Sequence, residues 1–404
     1  MAAKGNNLTP RRREMEVAEK VRLADVVDIN TSSPPNYEGV KRYISTGAIV
    51  DGAIVESQVE MFGFSERPSR ADLYPKEGDV LFAKMQATRK TFVVDRMNSG
   101  SLYSTGFYAL TPHKDEIDTL YLSHYLDSEQ FSSAKDKECN GATQKALSGV
   151  GFKKLLVPLP PLPAQRRIAA ELDKICELKK NAETRIEKLD LLVKSRFVEM
   201  FGDPFSNPMG WPSKTFKEAG ERLSDGPFGS NLKSSHYSDS GVRVIRLGNI
   251  GVGKFIDDDR AFIPKEHYEM LKKYTCHAGE IVIGTLGDPN LRACLIPENI
   301  DVAVNKSDCV HYLPKKNLLD KQYVCWYLNS PGTLKLAASM IHGQTRSRVS
   351  SVQIAKMPIC IPPLALQREF AAFVVKVDKL RENVRATVVK MDVLYRSKLQ
   401  ECFG

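Results

Sequence analysis

No stretch of this 404-residue chain stays apolar long enough to enter a membrane. Its first twenty residues carry Arg11, Arg12 and Arg13 with no apolar run behind them, so they lack the form of a secretion signal. Both absences point to the cytoplasm. The eight cysteines (Cys139, Cys176, Cys276, Cys294, Cys309, Cys325, Cys360 and Cys402) include no C-x-x-C pair and no finger-like spacing with histidine, which argues against a zinc site and for reduced thiols. There is no G-x-x-x-x-G-K-[ST] phosphate loop, so ATP hydrolysis has no support. Gly251-Val-Gly253 lacks the further glycine that a nucleotide-binding turn needs. The Asn/Asp-Pro-Pro-aromatic signature of DNA methyltransferases is missing too: Gly202-Asp-Pro-Phe205 has one proline and follows a helix end, so it reads as a stop signal. His236, His267, His277, His311 and His342 are scattered and read as ordinary surface or core histidines. The expectation is a chain that performs no chemistry itself and holds neither metal nor cofactor.

What is present is a soluble globular composition, 42% hydrophobic and 26% charged, at a length that suits two or three domains. Lys and Arg number 58 against 49 acidic residues, a net +9 that is compatible with a polyanionic partner. The strongest signal is an internal repeat at an offset of 202 residues. SRFVEMFG ending at Gly202 returns as SKLQECFG ending at Gly404. Tyr121–Ser128 returns as Tyr323–Ser330, Gly141-x-Thr143 as Gly343-x-Thr345, and Pro160-Pro-Leu-x-x-Gln165 as Pro362-Pro-Leu-x-x-Gln367. Near the start of each copy, Gly39-Val-Lys-Arg42 answers Gly241-Val-Arg-Val244. Five segments in one register mean a tandem duplication.

Each copy changes character at its Pro-Pro-Leu segment. Upstream, short β-branched and aromatic runs such as Gly78–Phe82 and Gly279–Ile283 alternate with Gly, Pro, Asn and Ser, the pattern of strands and loops. Downstream, residues 165–201 contain no Gly or Pro, and Ile168, Leu172, Ile175, Ala182, Ile186, Leu189, Val193 and Met200 recur at heptad spacing. The second copy repeats the stripe at Phe370, Val374, Val377, Val384, Val388, Met391, Tyr395 and Cys402. At ~1.5 Å per residue each helix is about 55 Å long and wants a partner, and its own copy is the nearest. The boundaries are 1–160 and 203–362 for two mixed α/β domains, 161–202 and 363–404 for the helices. Lys179, Arg196, Arg381 and Lys398 occupy seam positions, where they either snorkel out or accept carboxylates from another subunit.

Candidate polyanion contacts cluster in loops. Lys84-Met-Gln-Ala-Thr-Arg-Lys90 supplies Lys84, Gln86, Thr88, Arg89 and Lys90; Gly141-Ala-Thr-Gln-Lys145 supplies Thr143, Gln144 and Lys145. In the second copy the corresponding set is Gln344, Thr345, Arg346 and Arg348. Such residues hydrogen-bond phosphates, and Arg or Gln bonds bidentately with guanine or adenine. Lys41, Arg42, Arg243, Arg246, Asn249, Asn290 and Arg292, in or beside the strand-like runs, complete the candidates.

Two variable mixed domains, each followed by Pro-Pro-Leu-x-x-Gln and a long helix ending in Phe-Gly, resemble the specificity subunit of type I restriction–modification systems. The likeness spans essentially the whole chain and rests on Val157-Pro-Leu-Pro-Pro-Leu162, Gln165 and Ser195–Gly202. Ala164 and Ala365-Leu366 depart from the family's frequent acidic residue before the Gln, changes that alter local contacts only. The resemblance implies an α+β fold with two target-recognition domains, helices packed as an antiparallel coiled coil, and a bipartite, asymmetric double-stranded DNA target. It also implies two methyltransferase and two restriction subunits as partners, which would carry S-adenosylmethionine, ATP and Mg. A recognition subunit of a related phage-defence or type II-like system, an enzyme of unfamiliar type, and a scaffold without DNA affinity stand as alternatives.

Overall fold

The computed structural model describes residues 18–141, 144–287, 289, 291–340 and 348–404. The chain forms two compact units, the first built from two separate segments and the second from one continuous segment. The first runs to Glu183 and takes in Ala386–Gly404, and the second is Thr184–Arg385. Each unit is thus a mixed domain completed by one part of each long helix, Leu162–Phe201 and Leu364–Phe403.

In the first unit a four-stranded antiparallel sheet has the order Val27–Asn30, Phe107–Pro112, Val80–Ala83, Thr91–Val93. A smaller sheet sets Lys41–Ile44 antiparallel to Glu60–Phe62 and parallel to Leu102–Tyr103. The second unit repeats the main sheet as Gly220–Ser224, Cys309–Pro314, Ile281–Gly284, Arg292–Leu295. Its smaller sheet sets Val242–Ile245 antiparallel to Ala261–Ile263 and parallel to Val302–Asn305. The strands are as short and apolar as their sequence runs: Val80–Ala83 and Ile281–Gly284 are buried at every position, as central strands covered on both faces should be.

The repeated motifs turn out to be framework. Gln165 is fully buried; its amide NH2 donates to Glu116 O (2.9 Å) and Pro160 O (2.8 Å), and its Oε1 accepts from Asp118 N (2.8 Å). Gln367 makes the same three bonds, to Leu318 O (3.0 Å), Pro362 O (2.8 Å) and from Asp320 N (2.8 Å). A buried primary amide with two donors and an acceptor is the one side chain that satisfies this corner, where a Pro-bearing strand exit meets a helix start. Asp118 and Asp320 in turn N-cap the helices Thr119–Leu126 and Lys321–Leu328. Tyr121 and Tyr323 from those helices donate their hydroxyls to Pro158 O (2.8 Å) and Cys360 O (3.0 Å).

The heptad stripe faces inward. In the first unit Ile168 and Leu172 share a core with Leu399, Cys402 and Phe403; in the second Val193 and Phe197 share one with Phe370, Val374 and Val377. The start of one helix therefore lies on the end of the other in each unit, an antiparallel pairing. Ile175 is also buried, and Ile186, Leu189, Val388, Met391 and Tyr395 are half-buried on the same stripe. Three of the four seam cations find carboxylates on the opposite helix of the same chain. Lys179 pairs with Asp392 (2.8 Å) and Arg381 with Asp190 (2.7 Å), two pairs that occupy equivalent positions of the repeat. Arg196 reaches Glu369 at 3.1 Å, whereas Lys398 bonds Glu401 on its own helix.

Candidate nucleic-acid interface

In the first unit the hairpin Val80–Ala83/Thr91–Val93 ends in a loop, residues 84–90, that lies beside residues 144–147. Gln86 N donates to Lys145 O (2.9 Å) and Leu147 N to Lys84 O (2.9 Å). Two stretches that the sequence marked separately, about fifty residues apart, form one surface. The second unit builds the same junction, with Val349 N donating to Thr285 O at 3.1 Å. In the first unit Gln86, Arg89, Gln144 and Lys145 are exposed there. Arg89 makes a two-pronged ion pair with Asp127 (3.1 and 3.2 Å), Thr88 Oγ1 donates to Gln86 O (3.3 Å), and Lys84 holds its ammonium 4.5 Å from the centre of the Tyr108 ring. Burial pulls the Lys84 pKa down from the ordinary lysine range.

Lys90 and Arg292 open the return strands of the two hairpins and are clamps. Lys90 donates to Thr46 O (2.7 Å). Arg292 donates to Ile250 O (2.6 Å), Leu247 O (3.2 Å), Leu286 O (2.8 Å) and Pro289 O (3.0 Å). Each ties its hairpin to the loop following the first strand of the smaller sheet.

The remaining candidates are tied internally. Lys41 donates to Tyr74 Oη (3.0 Å) and Gly100 O (3.1 Å) between the rings of Tyr37 and Tyr74, and Arg42 pairs with Glu56 at 2.7 Å. Arg243 is buried against Asp257 (2.8 Å), and Arg246 pairs with Asp259 and lies over the Tyr237 ring. Asn249 is fully enclosed, donating to Ile256 O (2.9 Å) and Asp259 O (2.7 Å) and accepting from Arg246 N (2.9 Å). Arg348 meets Asp308 at 3.3 Å. Thr143, Asn290, Gln344, Thr345 and Arg346 lie outside the described residues.

Sequence reasoning missed Lys135 and Asp136, on the helix Glu129–Lys137 beneath the first loop. Their signal was there: Lys135 stands four residues after Phe131, on the buried face of that helix. Among the described residues no group of three or more His, Cys, Asp or Glu is placed to hold a metal, and no helix is long and apolar enough to cross a membrane.

Two sheet-bearing units of common design, with the same backbone junction beside the central hairpin and each completed by parts of two antiparallel helices, define a duplicated protein. Residues 15–190 match the family model described as type I restriction modification DNA specificity domain. A type I restriction enzyme specificity subunit of Methanocaldococcus jannaschii, MjaVIII, is 22% identical over 397 residues, covering 91% of this chain and 87% of the relative. Among solved structures, a chain from work on complex assembly and conformational transition of the type I R-M system is similar with a TM-score of 0.59 and 20% identity over 98% of both chains. The type I S subunit from M. genitalium is similar with a TM-score of 0.51 and 15% identity over 100% of this chain and 98% of that one. The chain is thus similar to type I restriction–modification specificity subunits, through the family model over residues 15–190 and through relatives aligned along most of its length.

Proposed function

We propose that each unit reads one half of a bipartite, asymmetric DNA target, with the paired loops as the contacting surface, and that the helix pair sets the unread gap. The carrying observation is that both units join the same two loops by the same backbone bond while filling them with different side chains, Lys84 standing where the second unit has Thr285. Common geometry with divergent chemistry suits two half-sites of different sequence. Two methyltransferase subunits and two restriction subunits complete the assembly in the cytoplasm, carrying S-adenosylmethionine, ATP and Mg, for which this chain has no motif. Outward-facing apolar residues on the helices, Leu178, Leu191 and Leu192 with their counterparts Leu380, Val393 and Leu394, are 40–63% exposed and offer those partners apolar area to bury.

The test is methylation mapping with the chain and its methyltransferase subunit together. An interrupted, asymmetric target is the expected outcome, and exchanging residues 206–355 for those of another specificity subunit changes one half alone. A swap that alters both halves refutes independent readout. The chain without its partner transfers no methyl group.

A further inference from the structure

We infer that Lys135, together with Asp136, is a positioning residue for sequence readout: it fixes the 84–90 loop in the shape that presents Gln86 to base edges of the first half-site. The inference rests on the proposed reading of that loop as a DNA-contacting element.

Lys135 is 2% exposed, yet it is a cation. Its ammonium donates to Thr88 O (2.6 Å) and Met85 O (2.8 Å), the two sides of the loop, with Ala83 O at 3.4 Å below. The Asp136 carboxylate lies 3.5 Å away and receives Ala87 N at 3.1 Å from both oxygens. Ala87 has a φ of +55°, a left-handed conformation that a residue with a Cβ seldom adopts. A backbone held off its ordinary preference persists only where the surroundings over-determine it, and here a cation and an anion grip the loop from beneath. Between the two grips stands Gln86. Its main-chain N is bonded to Lys145 O at 2.9 Å and its exposed amide donates to Asp136 O at 3.4 Å, a long contact that a better partner displaces. A glutamine amide so held matches the N6 and N7 edge of adenine in the major groove.

Packing does not require the charge. Burying an ammonium carries a desolvation penalty, and a methionine of similar length fills the same space without it. The second unit has Ala337 at the equivalent position, and there Arg292 of the hairpin itself takes the loop carbonyls of Leu286 and Pro289. Each unit therefore supplies a cation to its loop from a different element, which separates this feature from the common framework. Being buried, Lys135 touches no phosphate, so it acts through the loop alone.

The experiment compares Lys135→Met, Asp136→Ala and Gln86→Ala with the unaltered chain. All are assembled with the methyltransferase subunit and tested on duplexes carrying the mapped target or single-base changes in either half. The expected result for Lys135→Met is a loss of about 10-fold or more in discrimination at first-half positions, the same positions that Gln86→Ala relaxes. Discrimination in the second half and the salt slope of binding stay as they were. Asp136→Ala shifts the same positions by less, and it decides the matter alone if Lys135→Met does not fold. Undiminished first-half discrimination in folded variants, or an equal loss in both halves, overturns the inference and leaves the recognition reading standing. An unaltered complex that does not discriminate in the first half overturns that reading instead.

Discussion

In the first unit the 84–90 loop is linked to the helices through charge, and in the second the same positions are mostly apolar. Arg89 pairs with Asp127, which accepts from the Tyr395 hydroxyl (3.2 Å); that hydroxyl lies 3.0 Å from His124 Nδ1, whose Nε2 is 2.8 Å from Asp173. At the equivalent positions the second unit has Leu291, Asn329, Val193, Trp326 and Val375. Leu291 and Val193 are fully buried, and Asn329 bonds the strand backbone at Ala293 (2.8 and 3.0 Å). Both units nevertheless keep the same four-stranded main sheet and helix corner. The comparison teaches that the frame is held by the elements common to both, the Gln and Tyr bonds to backbone, while the side chains between loop and helices are free to change chemistry.

The severest way to break the comparison is to remove one unit. A fragment of residues 1–202 lacks Leu399, Cys402 and Phe403, which complete the first unit's core. The first helix offers Phe197, Met200 and Phe201 at the equivalent positions, and Asp190 in place of Asp392 for Lys179. The fragment is expected to fold as a homodimer that, with methyltransferase subunits, directs methylation to an interrupted palindrome. Sedimentation showing a monomer at micromolar concentration would establish that the helices are not interchangeable.

Next come the two glutamines. Gln165→Ala and Gln367→Ala each leave three backbone groups without their partners, one in a buried bond and two in part-buried ones, and each should lower stability by about 2–4 kcal/mol in denaturant unfolding. Near-equal losses support a shared frame, whereas a loss confined to one variant breaks it. The equivalent ion pairs should differ, because Arg381 is 6% exposed and Lys179 is much more open. Arg381→Ala should cost about 1–3 kcal/mol, the Asp190 carboxylate being partly solvated, and Lys179→Ala below ~1 kcal/mol. A double-mutant cycle with each aspartate measures both.

The smallest effect sharpens the contrast in pH. Burial drives the His311 imidazole of the second unit well below the ordinary histidine range, and Glu280, 2.8 Å away, reverses only part of that. The first unit has Ala109 there. Above the ordinary value of about 6.5 both folded and unfolded states are neutral and stability is flat in pH. Below it the unfolded chain binds a proton that the folded unit refuses, so stability falls by up to about 1.4 kcal/mol per pH unit. His311→Gln should flatten that limb for the second unit; an unchanged pH profile of unfolding removes His311 as its source.

Much of the frame was legible beforehand. The offset of 202 and the stripe from Ile168 to Met200 named the duplication and the helix pair, because repeat and periodicity are properties of the chain alone. The candidate interface was legible only as loops. Lys90, Arg292, Lys41 and Asn249 carry the residue types of DNA contacts, yet in the structure they bond carbonyls and hydroxyls of the protein. Nothing in their spacing shows this, since the acceptors come from segments that only folding brings near.

The sequence by itself thus determined the two copies, their strand-and-loop domains, the paired helices and the family resemblance. The tertiary structure alone decided that residues 84–90 and 144–147 form one surface, that Lys179, Arg196 and Arg381 meet carboxylates of the opposite helix, and that Lys135 lies beneath the first loop. The physical reason is range. Heptads and turn residues act over a few positions, whereas a cation's role depends on which oxygen lies within about 3 Å of it, and chain segments 44–50 residues distant supply that oxygen.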